Sequence, residues 1–353
     1  MIRTTTAMRI PLSQPSIDAD DVAAVLGVLR TPTLSMGPKV RDFERAMARY
    51  AGAAEAVAVN SGTSGLHLCL AAAGVGPGDE VITTPFSFVA SANCALYQGA
   101  RPVFADIDED TLNIDPQQVE DRIGPRTRAL LPVDVFGQPA PIERLLELAA
   151  RRELVVIRDS CEAIGAERQG LRIGSEGLAT VFAFYPNKQM TTGEGGMIVT
   201  NDVEYSRILR SLCNQGRDDH GTWMRHVRLG LQLQLDEMSA AWGSSQLGRI
   251  DSILDRRARI ADWYAGRSAA TRRSLHIAAE TTRMSWFVYV IRLDPRVDRT
   301  ALMEDLERDG VPAALLLPDP LSRCTRERFG HRPGGYPSTG RPIHPRALLH
   351  RHE

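Results

Sequence analysis

Helix and strand patterns alternate along the chain from about residue 20 to about residue 200, and this alternation limits the choice of fold. The periodicity predicts helices over 20–29, 40–51, 116–123 and 142–151, and strands over 80–84, 101–105 and 129–135. Repeated strand and helix units of this kind join into a largely parallel sheet with helices on its faces. The sequence therefore predicts an α/β fold.

The second half of the chain predicts a smaller domain. A strand is predicted over 285–293 and a helix over 299–310. A long helix over 236–262 precedes them, with an apolar face made of Met238, Ala241, Trp242, Leu247, Ile250, Ile253 and Leu254. We expect a large domain over residues 1–240, including an N-terminal arm, and a small α/β domain over 241–353.

Composition is that of a globular protein without a membrane or nucleic-acid partner. With 353 residues, 43% of them hydrophobic, and a net charge of −1, the chain can bury the cores of two domains. No basic patch indicates nucleic acid, and no apolar run reaches the ~18 residues that favour a membrane span. The N-terminus lacks the apolar stretch of a signal peptide, so a cytoplasmic setting is expected. The five cysteines show no paired spacing, which predicts neither a disulfide frame nor a metal site.

One lysine, Lys188, lies between an apolar strand pattern and a glycine-rich turn in TVFAFYPNKQMTTGEGGMIVT, residues 180–200. A lysine amine becomes a useful nucleophile when desolvation or a neighbouring cation favours its neutral form. The usual chemical use of such an amine is a Schiff base with a carbonyl. A surface lysine in a hairpin turn fits the same pattern, so this segment by itself leaves both interpretations open.

A second motif is NSGTSG, residues 60–65, which follows the apolar run 56–59 and precedes a helix pattern. The free N–H groups and the dipole of a helix N-terminus attract anions, and hydroxyl groups add donors. The motif predicts a phosphate site. A plain turn in which Ser or Thr caps the helix fits it equally well.

A third motif is an apolar strand pattern over 154–158 that ends in Asp159. Ligands of α/β folds bind at the carboxyl ends of the strands, where a carboxylate can keep a pyridinium nitrogen protonated. The alternative is an aspartate that caps a following helix.

These motifs, in this order, resemble the DegT/DnrJ/EryC1/StrS family of sugar aminotransferases, which have the aspartate aminotransferase fold type I. The resemblance runs from about residue 9 to about residue 310. It also includes RIPL at 9–12, MGPKV at 36–40, GPGDEV at 76–81, GARPVF at 99–104, FGQP at 136–139 and GEGGM at 193–197. It implies pyridoxal 5′-phosphate (PLP), alternating with its amine form PMP, as the cofactor. It also implies a mostly parallel sheet of seven-stranded type, flanked by helices, beside the smaller α/β domain.

The resemblance assigns roles to single residues. Lys188 matches the Schiff-base lysine of the family, and Asp159 matches the partner of the pyridine nitrogen. Gly62, Thr63 and Ser64 match the phosphate-binding turn.

Three more positions correspond to residues of the family that lie near the cofactor ring. Phe88 matches the aromatic residue that stacks on the ring, although a core position also fits this phenylalanine. Glu162 stands where many members have a glutamine near the ring hydroxyl. Asn187 directly precedes the lysine.

The sequence departs from the family near the phosphate and at its C-terminus. Gln232 and Gln234 stand where the family usually has Asn and Arg, and that Asn commonly reaches the phosphate of the neighbouring subunit. Gln232 can still donate from its amide, whereas Gln234 cannot supply a guanidinium fork. Ala183 replaces a serine that commonly helps to hold the phosphate. We expect no apolar strand over 338–353.

The resemblance implies amino transfer from glutamate or glutamine to a keto-sugar, expected to be nucleotide-linked, or to a keto-cyclitol. The setting would be secondary metabolite or surface glycan biosynthesis, in a homodimer with shared active sites. Two alternatives stay open. A non-catalytic or regulatory paralogue is favoured by Gln232, Gln234 and the departure from the family at the C-terminus. The other alternative is a PLP-dependent sugar dehydratase. Related dehydratases replace the lysine with His or add an iron–sulfur cluster, whereas this chain has Lys188 and no cysteine cluster.

Overall fold

The computed structural model describes residues 11, 13–217, 225–267, 272–274, 276–294, 296–311, 314–315 and 347–350. Its strands, in chain order, are β1 Glu55–Val59, β2 Glu80–Thr83, β3 Arg101–Phe104, β4 Thr127–Leu131, β5 Val155–Asp159, β6 Glu167–Arg168, β7 Leu171–Arg172, β8 Ala179–Ala183, β9 Gly196–Thr200, β10 Arg272–Ser274, β11 Thr281–Arg283, β12 Tyr289–Leu293, β13 Ala314–Leu315 and β14 Ala347–His350. Its α-helices are α1 Ala19–Leu29, α2 Pro38–Ala51, α3 Gly62–Ala72, α4 Ala90–Tyr97, α5 Pro116–Glu120, α6 Ile142–Arg152, α7 Val203–Cys213, α8 Glu237–Gly248, α9 Ile250–Arg267 and α10 Arg299–Arg308.

A seven-stranded sheet in the order β1-β9-β8-β5-β4-β2-β3 forms the centre of the larger part. Strand β9 is antiparallel to both of its neighbours, and the other neighbouring pairs are parallel. The predicted mostly parallel sheet is therefore confirmed. Because β1, β5 and β8 run in the same direction, their carboxyl ends lie at one edge of the sheet.

Apolar side chains cover both faces of this sheet. Along β1, Val57 and Val59 join one buried cluster, which includes residues of α3 and α7. Ala56 and Ala58 join a second cluster on the other face, with residues of α2 and α8. This alternation is the period of two that a strand imposes, so helices on both faces hold the sheet in place.

The C-terminal part contains an antiparallel sheet in the order β10-β12-β14-β13. Its strand β14 pairs with β12, with His350 opposite Tyr289. The expectation of no apolar strand at the chain end is therefore wrong. The apolar run of β14 is three residues, too short to give a periodicity signal. A second small sheet, β11-β6-β7, links the two halves of the chain.

Several boundaries differ from the sequence prediction. The helix expected over 236–262 is divided at Arg249 into α8 and α9. The strand expected from residue 285 begins at Tyr289, because Trp286 has a positive φ of 51° that interrupts an extended chain. The strand expected to reach residue 135 ends at Leu131, and a 3₁₀ turn follows at Val135–Gly137. The domain division at residue 240 falls within α8 and stays a prediction.

None of the helices in the described ranges is long and apolar enough to cross a membrane. Within the same ranges, no group of three or more His, Cys, Asp and Glu side chains could hold a metal ion.

Candidate active site

The first part of the site is the turn between β1 and α3. Ser61 caps the helix, and its Oγ accepts a hydrogen bond from the Ser64 backbone N–H at 3.1 Å. The Ser64 hydroxyl donates in turn to Asn60 Oδ1 at 2.6 Å. The first N–H groups of a helix have no acceptor within the helix, so the cap leaves backbone donors at Gly62 and Thr63 for an anion.

A glycine is required at position 62 by close packing. A Cβ atom there would lie 2.7 Å from Cys161 Sγ and 2.8 Å from Ala183 Cβ, which is closer than real Cβ atoms approach. The turn therefore lies directly against the ends of β8 and β5. Ala183 contributes no hydroxyl at this point, so an anion at this turn would depend on the backbone donors of Gly62 and Thr63 and on the Thr63 hydroxyl.

Asp159, at the end of β5, is 5% exposed and has both carboxylate oxygens hydrogen-bonded. The Ser91 hydroxyl of α4 donates to Oδ2 at 2.7 Å, and the Cys161 N–H donates to Oδ1 at 3.2 Å. Because residues 160–166 form no helix, Asp159 is not a helix cap, and that alternative is wrong. A carboxylate oxygen can accept more than one hydrogen bond, so Asp159 can still accept one from a ligand.

A buried ion pair fixes the end of β5. The Arg158 guanidinium donates from Nε and Nη2 to Asp134 at 2.8 and 2.9 Å, and neither side chain is exposed to solvent. The Ser160 hydroxyl also donates to Asp134. The residues before and after Asp159 are thus anchored to one carboxylate, which restricts the orientation of Asp159 between them.

Lys188 lies in the loop after β8 and has two neighbours that suit a cation. Its Nζ is 3.5 Å from Glu162 Oε1 and 4.1 Å from the centre of the Phe287 ring. Glu162 Oε2 accepts a hydrogen bond from the Phe136 N–H at 3.0 Å, which orients the carboxylate. The lysine side chain is only 13% exposed, so the alternative of a freely solvated surface lysine is wrong.

Cys161 connects these parts. Burial raises the pKa of its thiol well above the usual value, and the Asp159 charge raises it further, while nearby Lys188 opposes the shift. The thiol is therefore neutral, and it packs under Gly62 rather than acting as a nucleophile.

Phe88, Asn187 and Gln232 lie outside the contacts described above. The Phe88 side chain is 67% exposed, so the core alternative is wrong and its ring is available for stacking. Asn187 Oδ1 is shielded from solvent and has no hydrogen-bond partner among the described residues.

Gln232 is exposed. It lies on a segment that reaches the phosphate turn, because the Asn60 N–H donates to the Leu233 C=O at 2.8 Å. The Gln234 amide lies 3.1 Å from Met36 Sδ instead of entering the site.

The sequence motifs did not reveal Ser91 or Phe287. Ser91 is 68 residues before Asp159, in a helix that was not predicted, and Phe287 lies in a run that was predicted as a regular strand. The segment SFVAS, residues 87–91, contains no local pattern that indicates a carboxylate partner. Only the fold brings Ser91 and Asp159 together.

The described residues fit PLP. The cradle at Gly62 suits a phosphate, Asp159 suits a pyridinium nitrogen, and the amine of Lys188 suits an aldehyde. Asn187 Oδ1 is an acceptor without a partner at the same place.

Known proteins are similar to this chain in both sequence and structure. The profile of the DegT/DnrJ/EryC1/StrS aminotransferase family matches residues 15–352. GDP-perosamine synthase from Caulobacter vibrioides is 38% identical over 309 residues, which are 86% of this chain and 83% of that protein. DesV from S. venezuelae, in complex with a ketimine intermediate, has a TM-score of 0.85 at 34% identity, with 96% of this chain and 92% of that chain covered. Spr1654 from Streptococcus pneumoniae in its PLP form has a TM-score of 0.91 at 27% identity, with 98% and 94% covered. The chain therefore belongs to the DegT/DnrJ/EryC1/StrS aminotransferase family and uses PLP as its cofactor.

Proposed function

We propose that this enzyme transfers an amino group from glutamate or glutamine to a nucleotide-linked keto-sugar, with a keto-cyclitol as the second acceptor class. The observation that carries the proposal is the position of Lys188, held beside Glu162 and near Cys161, which lies in the turn directly after Asp159 at the end of β5. Similarity to GDP-perosamine synthase supports a nucleotide-linked acceptor. The product would enter a secondary metabolite or a surface glycan. A cytoplasmic setting belongs to the same proposal, supported by cysteines without paired spacing.

In this proposal Asp159 and Lys188 control the protons of the reaction. Bound PLP would supply an electron sink and a temporary carrier for the transferred nitrogen. The Asp159 carboxylate, fixed by Ser91 and the Cys161 N–H, keeps a proton on the ring nitrogen. Lys188 Nζ, once free, takes a proton from the substrate carbon and returns one in the next step, since a positioned amine can act as both base and acid.

Other side chains bind and orient the cofactor in this proposal. The backbone N–H groups of Gly62 and Thr63 and the Thr63 hydroxyl hold the phosphate at the start of α3, and the Ser64 hydroxyl turns from Asn60 to join them. Phe88 stacks on the ring from its exposed position, and Asn187 supplies a polar contact beside the lysine. Glu162 lies near the ring hydroxyl and forms an ion pair with Lys188 Nζ at 3.5 Å.

We also propose a homodimer in which Gln232 reaches the phosphate of the partner subunit. Its exposed position beside the phosphate turn supports this role, because a side chain at the surface of one chain can enter the site of another. An exposed apolar face on α1, formed by Val22, Leu26 and Leu29, supports the dimer.

Turnover with a panel of acceptors tests the proposed reaction. The purified enzyme is mixed with glutamate or glutamine and with nucleotide-linked keto-sugars or keto-cyclitols, and products are identified by mass spectrometry. An aminated product with release of the matching keto acid supports the proposal. Loss of water from the sugar without amination would indicate the dehydratase. A protein that holds PLP but converts nothing, even with the amino donor alone, would indicate the non-catalytic paralogue.

A further inference from the structure

The Phe287 ring is brought to Lys188 by a segment of the C-terminal part. Residues 285–287 precede β12 and lie against the turn at Phe136 and Gly137. The Ser285 N–H donates to the Gly137 C=O at 2.9 Å, and the Phe287 N–H donates to the Phe136 C=O at 3.2 Å. A backbone hydrogen bond lies on each side of Trp286, so the position of the Phe287 ring is set by the turn.

Close approach at Gly137 makes this docking specific. Gly137 has a φ of 94°, and a Cβ atom there would lie 2.8 Å from the Trp286 backbone N. Ser285 is fully buried, its hydroxyl donates to the Ile164 C=O at 2.6 Å, and it accepts from Gln189 Nε2 at 2.7 Å. Because Gln189 follows Lys188 directly, the same segment is tied to the lysine loop.

The Phe136 turn also sets the second neighbour of the lysine. Phe136 has a φ of 58°, a conformation that non-glycine residues rarely adopt. In this conformation its N–H donates to Glu162 and its C=O accepts from Phe287. One strained turn therefore fixes both groups that contact the Lys188 amine.

We propose that Phe287 is a positioning residue for Lys188, whose ring face holds the lysine ammonium beside Glu162. The inference rests on the proposed role of Lys188 as the cofactor lysine. The face of an aromatic ring carries partial negative charge and attracts a cation within about 6 Å. The ring face attracts the ammonium that forms when Lys188 takes the proton, and it keeps this group at the site instead of letting it rotate toward solvent.

The cofactor-free full-length protein allows a direct test, because Lys39 and Lys188 are the two lysines of the sequence. Acetic anhydride at fixed pH acylates neutral amines, and mass spectrometry gives the labelling rate at each lysine. Exposed Lys39 is the internal reference, so the measured quantity is the Lys188 to Lys39 rate ratio. Loss of the ring face should raise this ratio by about two- to thirtyfold, the range of such contacts.

Fluorinated phenylalanines at position 287 separate charge from shape. Each added fluorine weakens the negative face while the ring keeps nearly the same size, so the ratio should rise stepwise toward pentafluorophenylalanine. Phe287→Leu should raise it as well, and Phe287→Tyr, which keeps the ring face, should leave it near the wild-type value. Glu162→Gln should raise it independently, because it removes the other contact.

A ratio that does not change, or that falls, along the fluorinated series would overturn the proposal even if Phe287→Leu changes it. A separate experiment, borohydride treatment, detects failure of the proposed function. Borohydride treatment of the PLP-loaded wild-type protein would then leave the cofactor on Lys39, on the N-terminal amine or on nothing, whatever the labelling ratio shows.

Discussion

Asp159 owes its orientation to donors from two elements, the Ser91 hydroxyl of α4 and the Cys161 N–H of the turn after β5. The position of Asp159 at the end of a strand followed from the sequence, because an apolar run that ends in an acid is a local pattern. Its hydroxyl partner did not follow, since Ser91 is distant in sequence and sits in a helix without a clear apolar stripe. A local pattern thus predicted the strand end that carries Asp159, and tertiary packing decided the partners of its carboxylate.

Lys188 should be the attachment point of the cofactor. Borohydride treatment of the PLP-loaded protein should fix the cofactor to the peptide that contains Lys188 and leave Lys39 unmodified. Lys188→Arg, which keeps the charge, should abolish turnover because a guanidinium cannot act as the nucleophile. Circular dichroism should show an unchanged fold. A reduced adduct on Lys39 would contradict the assignment.

Asp159→Asn should lower the rate of both half-reactions far more than it lowers cofactor occupancy, because an amide cannot stabilise the charge on the ring nitrogen. Ser91→Ala should have a smaller effect in the same direction, about 1.5–3 kcal/mol at most, the value of a hydrogen bond to a charged group. Stopped-flow absorbance of single turnovers measures both. Ser87→Ala is the matched control, since its hydroxyl contacts Ser91 at 2.7 Å and not the carboxylate. Near-normal rates in Asp159→Asn would remove Asp159 from the mechanism.

At the scale of elements, the break between α8 and α9 shows where local patterns fail. The apolar period continues through 236–262, so the sequence predicted one helix. In the structure Arg249 leaves the helical path, and its guanidinium pairs with Asp18 and Asp21 at the start of α1. The partners come from the N-terminal segment, so a window along the chain cannot detect them.

The contact between α1 and α8 predicts a pH dependence of stability. Burial raises the pKa of Asp21, but hydrogen bonds from Ser245, the Asp18 backbone, Gln246 and Arg249 outweigh it and hold the pKa below its usual value of 3.8. A lowered folded-state pKa contributes stability above the unfolded value, and the contribution is lost as pH falls through the folded value.

Asp21→Asn should therefore lower the free energy of unfolding by about 1.5–3 kcal/mol at neutral pH, and the difference from wild type should shrink below about pH 4. Urea unfolding at several pH values measures this difference. Asp20→Asn, an exposed neighbour in the same helical turn, is the control and should change stability little. A difference that stays constant down to pH 2 would contradict the argument.

At the scale of the whole molecule, the direction of the strands brings the three sequence motifs together. The βαβ rhythm predicted the parallel strands, and the carboxyl ends of β1, β5 and β8 then had to share an edge. The C-terminal sheet could not be predicted in the same way, because β13 and β14 are two and four residues long and depend on β12 for pairing.

Helix α1 presents an apolar face that the described part of the chain leaves uncovered. Val22, Leu26 and Leu29 are exposed and recur at the spacing of one helical face, whereas Asp21 and Val28 lie on a different side of the helix and are buried. Leu34 and Met36 extend this surface toward Gln234. A second copy of the chain would bury these side chains in an isologous interface.

Light scattering should accordingly give a mass near twice 38.8 kDa for the wild-type protein. Leu26→Asp should shift the protein to monomer and release cofactor, because a charge in an apolar interface is left without a partner. Leu171→Asp, at an exposed leucine on β7, should stay dimeric and serves as the control.

Gln232→Ala should keep the dimer but weaken cofactor retention, since each site loses one hydrogen bond to a phosphate. A wild-type monomer that holds PLP at full occupancy would rule out the shared site.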